Sequence, residues 1–341
     1  MIVNTVVNYL EDLISIPSPT GFPDKIIPYL TKFAESKNIA HKIYRKGAVC
    51  FSFPNSPDQK NIVFEAHLDA LGAIVSEVKE NSLKISSIGG YPAIYIIGDY
   101  CTIHTFDGKS YPGTILPENP SAHVNHELSG KKYSVSDLYI RPDLKPDESV
   151  KYKEIFSNGN YVSFDPKFSR QNNFIKSRHL DDKASCAILL GLADYLAENS
   201  KDLPVNIHLF FNVTEETGQG VAGLPDDIHD FIAVDMGCVG ENLEGDEYSV
   251  SICTKDSSGP YNYGLTQQLR NIANIHKIPY KLDVFPYYGS DGSAALRAGN
   301  DCRVGLIGPG VHASHGYERT HISAIKATYD LCLEYLKSHK N

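Results

Sequence analysis

The chain has 341 residues, 42% hydrophobic and 21% charged, with a formal net charge of -9. That length supports a full core and more than one domain, and the negative balance argues against nucleic acid or an anionic membrane as the main partner. No apolar run reaches the roughly 18 residues of a membrane span, and the seven cysteines, odd in number and without a C-x-x-C pair, fit buried thiols of a reducing cytoplasm better than a disulfide framework or a thiolate zinc site.

At the N-terminus, Val3, Val6, Val7, Leu10, Leu13 and Ile14 recur at helical spacing. Asn4, Glu11 and Asp12 interrupt them and no basic segment precedes them, so a helix of the domain is expected rather than a signal peptide. Ile62-Val63-Phe64 reads as a strand running into Glu65-Ala66-His67-Leu68-Asp69. From about residue 70 to 165 the texture changes to short alternating segments punctuated by Gly, Pro and Asp-Gly. Asp107-Gly108 is a strong hairpin signal, and the region reads as a small all-β module.

Beyond about residue 175, helices and strands alternate. Ala184, Ile188, Leu189, Leu192 and Leu196 predict a helix over 181–200, and 205–213 is an apolar strand. Residues 231–234 form a strand ending at Asp235, 263–276 a helix, 303–307 a strand and 322–336 the closing helix. Such alternation implies an α/β sheet covered on both faces, with ligands at the carboxyl ends of its strands.

Several apolar strands end in chemistry. The run 205–213 leads directly into Thr214-Glu215-Glu216-Thr217-Gly218, two adjacent acids where packing alone gives no reason for them. His67 with Asp69, Asp235, and the His312/His315 group follow other strands, and Asp181-Asp182 opens the long helix. Each has a structural alternative. His67-x-Asp69 lies on one strand face and could be a plain His–Asp hydrogen bond. Asp181-Asp182 could be an N-cap with a first-turn acid, Asp235 a strand-end acid, His315 a loop residue. Together, imidazole and carboxylate suit zinc, cobalt or manganese. Five ligands exceed one open catalytic zinc and suit two ions sharing a bridging carboxylate.

The order HxD, DD, EE, D, H resembles the dinuclear metallopeptidase clan, and within it the M42 aminopeptidase family, over nearly the whole chain. Ser18-Pro19-Thr20-Gly21 is similar to the family's SPSG segment, and Ala66-His67-Leu68-Asp69-Ala70-Leu71-Gly72 to its AHMDEIG stretch. Gly89-Gly90, Asp107-Gly108, Pro112-Gly113-Thr114-Ile115 and His123 resemble its inserted β domain. Leu180-Asp181-Asp182-Lys183-Ala184 resembles FDDRAG, Thr214 to Gly218 QEEVG, and Gly289-Ser290-Asp291 GTDA. Ala70, Lys183, Ser185 and Thr214 depart from the usual Glu, Arg, Gly and Gln, and the last histidine motif differs from IHSPxE, so the resemblance is to a divergent branch.

The resemblance implies an α/β fold with a mixed sheet sandwiched by helices: a catalytic domain of residues 1–70 and 165–341, with an inserted small β-barrel at 71–164 that mediates dimerisation. It implies an aminopeptidase acting through a water bridging two divalent ions, zinc before cobalt or manganese. One ion would take His67, Asp181 and Asp235, and the other Asp181, Glu216 and His315, with His312 the alternative last ligand. Asp69 would fix the tautomer of His67, Glu215 would be the general base, and Asp291 would shape the substrate pocket. His104 and His123 are read as non-ligands. The substrate would be a peptide or small amide, the location cytoplasmic, and the assembly a homo-oligomer, a dimer through the β domain or a dodecamer. A deacylase or carboxypeptidase of the same clan is the alternative enzyme, and a non-catalytic metal scaffold the alternative class.

Overall fold

A computed structural model describes residues 2–144 and 151–340. The chain divides into two compact units, Met1–Asp69 with Lys167–Asn341, and Ala70–Pro166. The fold is α/β, with a mixed sheet in the first unit and a closed barrel in the second.

Four strands at the centre of the large sheet run parallel: Asn206–Asn212, Asn61–His67, Ile228–Val234 and Arg303–His312. Their residues are nearly all buried, as strands covered on both faces require. Alternation divides them between two cores. Ile62, Phe64, Ala66, Ile207, Leu209, Phe211, Ile232 and Val234 pack on one side with the helices Ile2–Ser15, Leu180–Asn199 and Ile322–Lys337. Val63, Phe210, Phe231, Ala233, Val304 and Leu306 pack on the other with Tyr261, Phe285 and Ala295. Because the four strands are parallel, their carboxyl ends share one edge, and His67 lies directly opposite Asn212 in the ladder.

The sheet continues past Arg303–His312 through Glu318–His321, Phe174–Ser177 and Ser169–Gln171, all antiparallel. On its other margin, Val49–Phe53 and Ala40–Ile43 pair antiparallel. The helix Leu180–Asn199 is buried without interruption from Leu180 to Ala193, so it is a central helix rather than a surface one. Gly191 permits that: a Cβ there would stand 2.5 Å from Val6 Cγ2 of the first helix. Its opening is not helical, because Asp181 and Asp182 leave helical geometry and the peptide between them is cis. The expected helix over 181–200 therefore becomes regular only after the two acids. Among the described residues, no helix is long and apolar enough to cross a membrane.

In the second unit, six strands close on themselves in the order Gly72–Val78, Leu83–Ile88, Leu138–Pro142, Ser110–Pro117, Tyr100–His104, Tyr161–Phe164. Ala73, Val75, Ile85, Ile103, Ile115, Ile140 and Val162 fill the interior. The hairpin expected at Asp107-Gly108 joins Tyr100–His104 to Ser110–Pro117, with Gly108 at a φ of 81° and Thr105 N–H donating to Lys109 O. His104 is buried between the hydroxyls of Ser110 and Ser163, while His123 is exposed.

Candidate metal centre

The shared edge of the parallel strands gathers the acids and imidazoles. Asp181 stands between the two histidines: its Oδ1 lies 3.2 Å from His67 Nε2 and its Oδ2 3.4 Å from His315 Nε2. Glu216 Oε2 is 3.6 Å from His315 Nε2, and Glu215 Oε2 is 3.8 Å from His67 Nε2. Donor atoms of His67, Asp181 and Glu216 lie within 4.8 Å of one another, as do those of His67, Asp182 and Asp235. The fold thus brings together His67, Asp181, Glu215, Glu216, Asp235 and His315. His312 is exposed at the end of its strand, lining a cleft of about 440 Å³ with Lys167, Lys176, Tyr317 and Arg319.

Local structure explains the placement. His67, Glu215, Glu216 and Asp235 follow directly from parallel strands. The approach of Arg303–His312 to Asp235 depends on Gly308, where a Cβ would lie 1.9 Å from the Asp235 carbonyl oxygen. His315 sits in a tight turn, at a φ of 61°, with Ala313 at 59°. Left-handed backbone is uncommon for a residue with a side chain, and here it carries the imidazole to Asp181.

Two further carboxylates hold main-chain amides. Asp69 accepts the Glu215 and Glu216 N–H groups on Oδ1 and Oδ2, both at 3.1 Å, and the Thr20 hydroxyl at 2.7 Å. His67 Nδ1 meets the main-chain oxygen of Asp69 at 3.0 Å, whereas the carboxylate is 3.6 Å away. The Asp69 main-chain oxygen is thus the nearer partner of His67 Nδ1, and the carboxylate also holds the Glu215–Glu216 turn. Glu318 does the same for the other side, accepting Asp181 N–H at 3.0 Å and His315 N–H at 3.1 Å. Ser18 ties the segment down by donating to Leu68 O at 2.7 Å.

Electrostatics follow from burial. Desolvation pushes Glu215 and Glu216 well above the usual carboxylate range. It pushes Asp235 up to about 7, with Asp181 adding to it, and Glu318 up to about 8 for the same reasons. For Asp181, burial acts in the same direction, but His315 and His67 outweigh it and hold the carboxyl low. Burial would lower His67, yet Asp181 and Asp69 keep it well above its ordinary value. A crowd of buried acids with two imidazoles is a poor arrangement without a cation. Asp182 Oδ1 and Glu216 Oε1 are buried without a hydrogen-bond partner. Donor chemistry and these two oxygens both fit divalent metal.

Comparison with known proteins agrees. The sequence model of the M42 glutamyl aminopeptidase family matches residues 47–331. The chain belongs to this family. It is 41% identical over 340 residues to "Putative aminopeptidase YhfE" of Bacillus subtilis (strain 168), covering 98% of each chain. Solved structures share the fold. An aminopeptidase from the archaeon Desulfurococcus kamchatkensis superposes with a TM-score of 0.86 at 20% identity, over 98% of this chain and 95% of that one. The Pyrococcus horikoshii TET1 peptidase does so with 0.82 at 20% identity, over 97% and 99%. The protein is accordingly a peptidase, and M42 peptidases are metal-dependent.

Two residues of this M42 site were given no role of their own from sequence. Asp182 reaches the centre beside Asp181 and accepts the His67 N–H at 3.3 Å. Glu318 sits between Tyr317 and Arg319 and reads as a surface residue; only strand alternation, which turns it inward opposite Arg319, distinguishes it. Asp291, expected at the substrate pocket, is 2% exposed, and its carboxylate is engaged by Asn212. Tyr288 donates to Met236 O at 3.0 Å.

Proposed function

We propose that this protein is an aminopeptidase that removes N-terminal residues from peptides with Glu215 as general base. The observation that carries the reading is the split between the paired acids. Their amides are held on one carboxylate, Asp69, yet Glu216 is 3% exposed and belongs to a cluster of metal donors, whereas Glu215 is 19% exposed and belongs to none. A purely structural metal site has no use for an unligated acid at its rim.

His67, Asp181 and Asp235 would hold one divalent ion, with Asp182 also in reach, and Asp181, Glu216 and His315 a second. Zinc, cobalt and manganese all suit these donors. Such ions supply Lewis acidity toward the scissile carbonyl and its attacking water. Glu215 takes the proton from that water and delivers it to the departing amine, a task suited to a carboxyl whose burial raises its proton affinity. Asp69 and Glu318 keep the loops in register meanwhile.

The test is a hydrolysis screen after reconstitution with each metal, using aminoacyl-anilides, free peptides, blocked peptides and N-acyl amino acids. Cleavage of free N-termini alone supports the reading; cleavage of N-acyl amino acids alone makes the enzyme a deacylase. Glu215→Gln should retain metal and lose about 10²- to 10⁴-fold in kcat, and full activity in that variant removes the base assignment.

Homo-oligomers belong to the same proposal. Relatives of this fold are titled as a dodecamer and as a tetrahedron or octahedral shell. The barrel unit exposes Ile94, Tyr100, Phe106 and Val124, apolar surface of the kind that dimers cover. Light scattering should find more than a monomer at micromolar concentration.

A further inference from the structure

The Glu215–Glu216 turn has an anchor besides Asp69, reached from the far side of the loop. Asn212 ends the strand that leads into the turn and is 2% exposed. Its Nδ2 donates to Asp291 Oδ2 and to Gly220 O, the latter at 3.3 Å. The Thr214 hydroxyl donates to the same Gly220 oxygen at 2.8 Å and lies 3.4 Å from Asn212 Oδ1. One side chain thus ties the first residue of the loop to its last. Gly220 is pressed onto the helix Asp291–Arg297, where a Cβ would stand 2.8 Å from Ala294 Cβ. Behind Asn212, Asp291 is 2% exposed and interacts electrostatically with Glu65, itself 1% exposed. Glu65 is two residues before His67 on the neighbouring parallel strand, opposite Phe210 in the ladder.

We infer that Asp291 is a positioning residue, which, through Asn212, fixes the 213–220 loop and so the placement of Glu215. The inference rests on the reading of Glu215 as proton carrier. The Asp291–Asn212 bond joins the helix Asp291–Arg297 to the strand that leads into the turn. Removing the Asp291 carboxylate leaves the Asn212 Nδ2 held by Gly220 O alone. The loop then pivots about the Asp69 end, and Glu215 moves relative to the reacting water.

The experiment compares the parent with Asp291→Ala and Asp291→Asn. Asparagine keeps an oxygen for Asn212. Hydrogen exchange on the metal-free protein reads the loop directly: amides of residues 213–220 should exchange at least about tenfold faster in Asp291→Ala and near the parent rate in Asp291→Asn. In the metal-loaded enzyme, Asp291→Ala should lower kcat about 10- to 100-fold, since small misplacement of a reacting group has that effect, with KM within twofold and metal stoichiometry unchanged. Asp291→Asn should restore most of kcat. Unchanged loop exchange overturns the inference, and so does a raised KM with unchanged kcat, which would return Asp291 to the substrate pocket. Should Asp291→Ala not fold, Asn212→Ser breaks the same bond from the other side and the same readouts decide. A parent that cleaves no peptide would sink the proposed function while the exchange measurement still judges the loop.

Discussion

Asp69→Asn isolates the carboxylate that carries the catalytic turn. Asp69 now accepts two amide N–H bonds, one on each oxygen, and the Thr20 hydroxyl. Asparagine has one oxygen. Whichever way its amide turns, one of the Glu215 and Glu216 N–H groups faces an NH₂. A hydrogen bond to a charged acceptor contributes about 1.5–3 kcal/mol, and an unpaired buried donor costs a similar amount. If that loss falls on the placement of Glu215, kcat drops about 10- to 150-fold at about 1.4 kcal/mol per factor of ten. His67 keeps its bond to the Asp69 main-chain oxygen, so the site should still fill. The assay is kcat on an aminoacyl-anilide alongside metal content by mass spectrometry. A variant with kcat within twofold of the parent would refute the clamp. Lost metal together with lost kcat would mean that the carboxylate acts on His67 instead.

Two other perturbations probe different parts. His315→Ala should lose one of two metal equivalents and His312→Ala should lose none; equal metal loss in both would put the last ligand in question. Away from the site, Asp230 is buried and accepts from Arg303 Nη2 at 2.8 Å and from the Tyr335 hydroxyl. Burial pushes its carboxyl up, but Arg303 and Tyr335 outweigh that and hold it below its ordinary value. A carboxyl depressed in the folded state stabilises above its unfolded pKa, and that contribution is lost as pH falls through the folded value. Asp230→Asn should therefore cost about 3–5 kcal/mol at pH 7, with the gap to the parent narrowing below about pH 4. Urea titrations across pH measure it, and a pH-independent gap would be evidence against the assignment.

What was legible in the sequence had a local cause. The strand at 206–212 and those ending at His67 and Val234 are apolar runs that stop abruptly at metal-type side chains, and parallel pairing carries those stops to one edge. The α/β class followed from the same alternation. Residues whose roles depend on pairing were harder to read. Phe174–Ser177 and Glu318–His321 are short, partly polar strands, and only their pairing turns Glu318 toward Asp181. Asp182 reads as a first-turn acid because nothing in the sequence announces the non-helical step at Asp181 and Asp182. Asp291 opens a short helix and reads as a pocket acid. Its partner Asn212 is 79 positions away along the chain and meets it only through the fold.

The two clamping carboxylates suggest how so many buried acids are kept in one place. Asp69 holds consecutive amides, of Glu215 and Glu216, and Glu318 holds amides from separate segments, of Asp181 and His315. Between them they reach four of the site residues, and in every case through the backbone. A side chain restrained in that way remains free at its own oxygens or ring nitrogen, which is what a metal ligand or a proton carrier requires. Had the same acids been held by partners on their carboxylates, each bond would compete with the cation or with the proton. The orphaned oxygen of Glu216 fits this division: its amide is held by Asp69 and a carboxylate oxygen is left open.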